Sequence, residues 1–318
     1  MMNRRQKFIF DSYYKKSISL YDSTELRWEG NSMQADSPLQ EKSLRFGYFK
    51  EAAFNALLIS YTAGESIDNL SPRLEKLIES YEAYQHALAD EDGEPDISPL
   101  AIDDWPEQYE ECVQVVSLCI LLRRVDLLVR FVGLIDRAGY SGEDTLYEDL
   151  LAKCLPSRTD LDAWYHELYT PLIKAIYAPG AKEASELLRH YCSEWYPAFK
   201  KLQAKWHDSH LDIEGDDGSY VGYWAFEAGA IAFLYNIDDS KIDHMVYPKD
   251  LVEYARNYQG ANGTQINRVV AGDPCTKTGY WFTPAQANSR RHFQQGEIMP
   301  SISDSTWGDT LWYWSGED

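Results

Sequence analysis

The sequence predicts a mainly α-helical protein: a multi-helix body of packed helices followed by a small β-rich C-terminal appendage. Apolar residues recur at helical spacing through most of the first 260 residues, and a hydrophobic content of 44% is that of a folded globular chain. Further along, turn signals separate short aromatic runs, a pattern typical of strands. We expect the helical body over residues 1–260, with an N-terminal part of about 1–140 and a C-terminal part of about 141–260, and the appendage over residues 261–318.

The first helical patterns belong to the N-terminal part of the body. Residues 42–62 carry apolar side chains every three to four positions, and Ala63-Gly64 ends the run. Ser71-Pro72 then opens a second helix, because a proline in the first helical position lacks only an N–H group that the helix does not use. Residues 89–99 combine one glycine, two prolines and five acidic residues, which predicts an exposed acidic loop.

The strongest helical pattern covers about residues 105–136 and is apolar on most sides. A helix of this kind is normally buried at the centre of a protein, so we predict a central helix here. Shorter helices are expected near residues 143–152 and 160–177. A longer helix is expected over about residues 181–206, and Pro197 inside it predicts a kink or a break.

The last part of the body contains a second acidic segment and two further helices. Residues 207–218 hold five acidic residues and two glycines, which again predicts an exposed loop. A helix is expected from about Tyr220 to Tyr235. Another begins with Pro248 at its first position, where Asp250 lies favourably at the positive end of the helix dipole.

The net charge restricts the classes of partner that the chain can bind. The formal net charge is -21, and residues 261–318 carry four basic and six acidic residues, so residues 1–260 hold -19 of it. Such a surface repels nucleic acid and anionic membranes and attracts basic proteins or cations. Acidity also keeps a protein soluble. Composition alone does not separate this explanation from a docking role.

The cysteines indicate a reducing compartment. There are five, none in a CxxC spacing, which does not suit a disulfide framework. Cys112 and Cys119 lie seven residues apart in an apolar helical pattern and are expected to be buried thiols. The first residues lack the apolar segment of a signal peptide, and the longest apolar stretch, Cys112–Leu122, is too short to span a bilayer. We therefore expect a cytoplasmic location.

One candidate metal site lies in the second acidic segment. Carboxylate and imidazole ligands in a glycine-containing loop could hold a cation, but the spacing of a calcium-binding loop is absent and so is an HExxH motif. A solvated acidic loop is the favoured interpretation, and we predict neither a metal nor a cofactor. The candidate ligands are His207, His210, Asp212, Glu214, Asp216 and Asp217.

Glu227 lies in an apolar stripe of the helix predicted from Tyr220. A buried carboxylate either finds a hydrogen-bonding partner or has its pKa raised, so Glu227 could be an acid/base catalyst or a structural acid bonded to tyrosines. No matched second carboxylate lies at an obvious place, and the structural role is favoured. The chain also lacks GxSxG, GxxxxGK[ST] and GxGxxG motifs and a basic stripe for a phosphate backbone. We therefore predict that the protein is not an enzyme.

The C-terminal part of the body resembles the C-terminal half of the PoNi immunity family. The resemblance rests on GSYVGYWAFEAGA from Gly218, IDDS from Ile237 and YPKDLVEYA from Tyr247. Together with an upstream helical part it covers roughly residues 5–258. The appendage departs from that family and resembles the tails of other toxin-immunity proteins. The matched residues are expected to keep the fold: Tyr220, Gly222, Tyr223, Trp224, Glu227, Asp238, Asp239, Pro248 and Asp250.

The resemblance implies an immunity protein that binds and silences a secreted DNase of the PoNe type, delivered by a type VI-like system. An acidic surface would meet the basic toxin without touching nucleic acid or membrane. Residues that recognise one toxin are expected on exposed loops, hence on the two acidic segments. The predicted partner-binding residues are Glu91, Asp92, Glu94, Asp96, Glu214, Asp216 and Asp217.

Two alternatives remain open from the sequence. The first is a hydrolase that uses Glu227 and the His207/His210 loop. The second is a helical scaffold that binds a regulatory partner. The sequence also leaves the oligomeric state open, a homodimer included.

Overall fold

The computed structural model describes residues 3–258, 268–283, 286, 289–302 and 310–316. These residues form eleven α-helices and one four-stranded antiparallel sheet, which confirms the predicted fold class. The helices are α1 (Asp11–Asp22), α2 (Thr24–Trp28), α3 (Pro38–Ala63), α4 (Leu70–Asp92), α5 (Pro106–Leu121), α6 (Val125–Ile135), α7 (Thr145–Ala152), α8 (Thr170–Ile176), α9 (Ala181–Lys201), α10 (Phe226–Leu234) and α11 (Lys249–Asn257). The strands are β1 (Arg268–Val270), β2 (Gly279–Phe282), β3 (Arg291–Phe293) and β4 (Leu311–Gly316).

Helices α3 and α4 form a long antiparallel hairpin, and α1 packs against α3. The Ser37 side chain caps the start of α3 by accepting a hydrogen bond from the Gln40 N–H group, and Gly64 ends the helix in the left-handed conformation that glycine tolerates. Helix α4 begins at Leu70, so Pro72 lies within the first turn and not at its first position. The helix continues to Asp92, so it includes the first four residues of the predicted acidic loop.

The apolar pattern over residues 105–136 forms two helices and not the single one predicted. Helix α5 ends at Leu121 and α6 begins at Val125, because Arg123 adopts a left-handed conformation with φ of 61°. The Arg124 N–H group donates to the Cys119 carbonyl, and its guanidinium is 2.7 Å from Asp126. Helix α5 is nonetheless the centre of the body, because it packs against α6, α7, α10 and α11.

The segment from Tyr220 to Ala225 is not helical, so the predicted helix begins only at Phe226. Its backbone groups bond to other segments instead of to each other. Tyr223 exchanges hydrogen bonds with the Gln6 side chain, and the Ala225 N–H group donates to the Val246 carbonyl. Tertiary contacts have therefore replaced the local helical bonds that the apolar pattern alone would favour.

Three other helices differ from their predicted bounds. The 160–177 segment contains only a short 3₁₀ turn followed by α8, and the polypeptide before it is irregular. Helix α9 is continuous through Pro197 to Lys201, so the proline does not break it. The last helix, α11, begins at Lys249, one residue after the predicted Pro248.

The strands near the C-terminal end pair in the order β1-β4-β2-β3. One side of this sheet supports a small apolar cluster that includes Trp281, Phe293 and Trp312. Phe282 and Tyr313 belong instead to the large core of the helical body, so the sheet is packed onto the body near α6.

Candidate binding surface

The first acidic segment is only partly available to a partner. Glu91 lies in the last turn of α4, is half-buried and accepts a hydrogen bond from the Ser43 hydroxyl. The Asp96 carboxylate is 3.2 Å from the Arg137 guanidinium. Asp92 and Glu94 are exposed. Two of the four predicted contact residues are thus already engaged within the chain.

The second acidic segment is a tight exposed turn. Glu214 and Asp217 exchange two backbone hydrogen bonds of 2.9 and 3.0 Å, which close the turn over Gly215 and Asp216. Asp217 also lies 2.6 Å from the Lys16 ammonium group on α1, and both side chains are largely exposed. Because exposed ion pairs of this kind contribute little free energy, Asp217 can exchange Lys16 for a partner's cation at small cost.

The two acidic segments lie at opposite ends of α3. Glu91 contacts Ser43 near the start of that helix, whereas the chain just after the acidic turn is held at the other end, where the Thr62 hydroxyl bonds to the Val221 carbonyl. Nineteen helical residues separate Ser43 from Thr62, a distance of about 28 Å at 1.5 Å per residue. The segments therefore form two separate acidic sites and not one patch.

A groove of about 480 Å³ lies between the two acidic segments, and we call it the central groove. One wall is the middle of α3, from Lys50 to Leu58, and the opposite wall is the first half of α5. Leu100, four residues after Asp96, lines one part of it, and Val221, four residues after Asp217, lines another. Its volume is within the range of about 300–1,000 Å³ that is typical of ligand pockets.

The central groove is acidic and aromatic. Glu51, Glu107 and Glu111 line it together with Lys50 and Lys205. Lys50 is 2.6 Å from Glu111, so those two charges compensate each other. In the described part of the chain, neither Glu51 nor Glu107 has an ion-pair partner, although Glu107 accepts the Lys205 backbone N–H at 2.6 Å. The groove therefore presents two carboxylates to a partner.

Trp105 lies beside these carboxylates at the start of α5, where it is 60% exposed. An indole with this much exposed area is a frequent centre of protein–protein binding energy. Behind it, Trp195 and Trp206 stack with ring centroids 5.1 Å apart. None of these aromatic residues was among the site residues predicted from the sequence.

The two polar residues deepest in the groove, Glu110 and Gln114, were also not predicted as site residues, although the sequence contains a signal for them. Glu107, Glu110, Glu111 and Gln114 recur at three- to four-residue spacing, so they form a polar stripe on a helix that is otherwise apolar. A polar stripe on a central helix must face either a partner or a groove. Burial raises the pKa of Glu110 well above its usual range, and the Trp206 indole donates to its Oε2 at 2.8 Å.

The histidines of the second acidic segment hold the local fold. His207 Nδ1 is 3.2 Å from Asp208, and His210 Nδ1 is 2.8 Å from the Tyr223 hydroxyl. Phe8 packs on the His210 ring with centroids 4.1 Å apart. Among the described residues, no group of three or more His, Cys, Asp or Glu side chains is arranged to hold a metal ion. Within the described residues, the candidate ligands of this loop therefore do not come together into a metal-binding set.

Glu227 is completely buried at the start of α10. Its Oε1 accepts hydrogen bonds from the Tyr191 hydroxyl at 2.7 Å and the Trp195 indole at 3.0 Å, whereas its Oε2 has no partner among the described residues. Burial raises the pKa of Glu227 to about 7. No substrate in solvent can reach a carboxylate placed in this way.

The aromatic positions of the predicted family motif attach the N-terminal segment to the body. The Tyr220 carbonyl accepts the Tyr13 hydroxyl at 2.7 Å, and the Trp224 indole donates to Thr62 Oγ1 at 2.8 Å. Gly222 has a φ of 127°, and a Cβ there would lie 2.2 Å from Thr62 Oγ1. This position therefore requires glycine for both conformation and space.

The acidic and proline positions of the motif secure the end of the body. Asp239 accepts the Tyr247 hydroxyl at 2.5 Å and pairs with Arg256 at 2.8 Å. Asp250 pairs with Arg5 at 2.6 Å. Asp238 Oδ1 accepts the Ser240 N–H at 3.0 Å, and Pro248 packs against Gly229 so closely that a Cβ on that glycine would be 2.8 Å from its ring.

Comparison with known proteins identifies a family over part of the chain. The family model described as PoNe immunity proteins (PoNi), C-terminal, matches residues 142–251. These residues form a PoNi C-terminal domain. The match is to a family of non-enzymatic inhibitors, which confirms the prediction that the chain is not an enzyme.

The fold has a counterpart among solved structures. The crystal structure of protein PA2201 from Pseudomonas aeruginosa superposes with a TM-score of 0.61 at 21% sequence identity, covering 80% of this chain and 91% of that chain. At this identity the likeness establishes a shared fold. Among curated proteins, none matches the sequence.

The PoNi C-terminal domain supplies one part of the central groove. Trp195, Trp206 and Val221 come from within the matched residues, whereas Trp105 and Glu51 come from helices that precede them. The groove therefore lies where the PoNi C-terminal domain meets the α3–α5 helices. None of the helices in the described residues is both long and apolar enough to cross a membrane.

Proposed function

We propose that this chain is an immunity protein that binds and neutralises a PoNe-type DNase toxin through the acidic surface of its helical body. The observation that carries the proposal is the PoNi C-terminal domain over residues 142–251. Under this proposal the protein acts in the cytoplasm, on a toxin that a neighbouring cell delivers by a type VI-like system.

The charge of the chain supports binding to a nuclease. A DNase must hold a phosphate backbone and therefore exposes a basic surface. With a net charge of -21, of which residues 1–260 hold -19, the helical body attracts that surface over a long range. The two acidic segments, at Glu91–Asp96 and Glu214–Asp217, flank the central groove and would extend the contact on both sides of it.

The complete burial of Glu227, the carboxylate considered as a possible catalyst, also supports stoichiometric inhibition. Glu227 is inaccessible, and its oxygen bonds to Tyr191 and Trp195 hold helix α9 against α10. In this arrangement Glu227 acts as a structural acid that stabilises the packing of α9 against α10.

The experiment that tests the proposal is co-expression of the chain with the nuclease encoded beside its gene. We expect cell survival, an intact genome and co-purification of the two proteins in a stable complex. A catalytically inactive form of the nuclease allows the complex to be isolated without selection for survival, and an unrelated nuclease is the specificity control.

The other outcomes separate the alternatives. Survival without a complex would indicate an activity that reverses the damage and would contradict inhibition by binding. If both proteins are folded and the chain gives no protection, the result would favour a scaffold that binds a regulatory partner.

A further inference from the structure

The deepest part of the central groove contains a hydrogen-bond acceptor that lacks a donor. Gln114 is 4% exposed and lines the groove. Its amide nitrogen donates to Glu110 Oε1 at 2.8 Å and to the Trp224 carbonyl at 3.1 Å, but its Oε1 has no partner among the described residues. A buried acceptor without a partner is unfavourable, so a donor that entered the groove and bonded to it would gain binding energy here.

The walls around this acceptor suit a flat cation. The indole N–H of the half-buried Trp206 donates to Glu110, and its ring stacks on the fully buried Trp195, so the orientation of Trp206 is fixed. Trp105 offers a largely exposed ring to an occupant of the groove. An aromatic face next to carboxylates is a favourable environment for a positive charge.

We propose that the central groove receives an arginine side chain from a projecting segment of the toxin, with its guanidinium directed at Gln114 Oε1 and the groove carboxylates. This inference rests on the proposed function. Arginine fits better than lysine because its planar head carries five donors in a fixed fork and stacks on aromatic rings. Glu51 and Glu107 would compensate the charge nearer to solvent.

Glu110 lies beside this acceptor and suits such an occupant. Its Oε1 accepts the Gln114 amide N–H at 2.8 Å, and burial raises the pKa of this carboxyl well above its usual range. An incoming guanidinium would favour the ionised form of Glu110.

The test measures the affinity of the purified full chain for the catalytically inactive toxin by calorimetry. We expect Trp105→Ala and Glu51→Lys each to weaken binding by at least about tenfold. Both side chains are exposed, so neither change should affect folding, which thermal melting checks. Leu26→Ala, at an apolar residue that is 71% exposed on a different groove, and Glu253→Lys, the same charge reversal on α11, are the matched controls.

A second arm identifies the occupant on the toxin. Each surface arginine of the inactive toxin is replaced by alanine and combined with Trp105→Ala in a double-mutant cycle. One arginine should show strong coupling to Trp105, with the double variant binding no more weakly than either single variant.

Two results would overturn the inference, and they are distinguishable. If wild-type protein binds the toxin and the groove variants bind equally well, the groove is not the contact, while the proposed function stands. If wild-type protein does not bind the toxin at all, the proposed function fails and the inference fails with it.

Discussion

At the scale of single residues, Glu227 combines complete burial with only one hydrogen-bonded oxygen. Its pKa is raised to about 7, whereas the same carboxyl in the unfolded chain titrates near 4.5. Between these two values the folded protein holds a proton that the unfolded chain has released. The contribution of this carboxyl to the free energy of unfolding is therefore fully present below about pH 4.5. It is lost as the pH rises through about 7, because the buried carboxyl then has to ionise.

The change Glu227→Gln tests this linkage. Glutamine is neutral at every pH and can still accept hydrogen bonds from Tyr191 and Trp195. We expect the variant to match the wild type near pH 4.5 and to be more stable by roughly 2–3 kcal/mol above pH 7. Urea unfolding across the pH range measures this difference. Glu183→Gln, at an exposed position on α9, is the control.

Equal pH profiles for Glu227→Gln and the wild type would contradict the raised pKa. A different result, loss of toxin protection in a variant that is still folded, would reopen the hydrolase alternative.

Residue-scale features differed in how well sequence could predict them. The burial of Glu227 followed from the apolar residues around it. Gln6 could not be predicted, because a glutamine between two basic residues looks solvent-exposed. It is in fact buried, and its amide bonds to Tyr223 and Met245, more than 200 residues away. Local pattern contains no signal for a partner at that distance.

At the scale of elements, a buried ionic network fixes the irregular segment between α7 and α8. Arg158 lies 2.6 Å from both Asp136 and Glu148, and all three side chains are at most 6% exposed. Asp136 also accepts the Tyr147 hydroxyl, and Glu148 accepts the Gly142 N–H. A single arginine thus joins the end of α6, helix α7 and the chain that follows.

Removal of that arginine should be strongly destabilising. Arg158→Ala leaves two buried carboxylates without their cation, and we expect the free energy of unfolding to fall by about 3–5 kcal/mol. Arg189→Ala, on the exposed face of α9, should change it by less than about 0.5 kcal/mol. Thermal and urea unfolding measure both. A loss for Arg158→Ala as small as that of the control would show that the network contributes little.

Helix bounds were predictable where capping chemistry was local and unpredictable where tertiary bonds decided them. Gly64 ends α3 as its sequence signal indicated. The break at Arg123 had no such signal, because arginine rarely adopts a left-handed conformation. Ion pairing of Arg124 with Asp126 and Glu75 helps to hold that break. The polar stripe along α5 was visible in the sequence, but only the structure places α3 and the tryptophans opposite it.

At the scale of the whole molecule, helical periodicity and the aromatic turn-rich end were enough to predict the fold class. Charge favours a basic partner, which stays a prediction, and it gives no location for the contact. Ser43 and Thr62, the residues of α3 that contact Glu91 and Val221, are about 28 Å apart, and the groove lies between them. The separation of the two acidic segments follows from the antiparallel packing of α3 and α4, which no local pattern encodes. The division into a body and an appendage at residue 260 stays a prediction.

The whole-molecule charge leads to a kinetic prediction. If long-range attraction steers association, an increase in NaCl from about 0.05 to 0.5 M should lower the association rate constant by at least about tenfold, since the Debye length shrinks severalfold. The dissociation rate constant should change much less. Stopped-flow mixing with the inactive toxin measures both constants. An association rate independent of salt would exclude steering even if the complex is tight.

The attachment of the N-terminal segment also sets the order in which the protein can fold. Arg5 and Gln6 bond to Asp250, Tyr223 and Met245, contacts that span well over 200 residues of sequence. Closing so long a loop is slow and depends on the later segment being present. A ribosome adds about 5–20 residues per second, so the early segment waits on the order of ten seconds or more for its partners. Until then the body lacks these contacts, and newly made chains are incompletely folded during that interval.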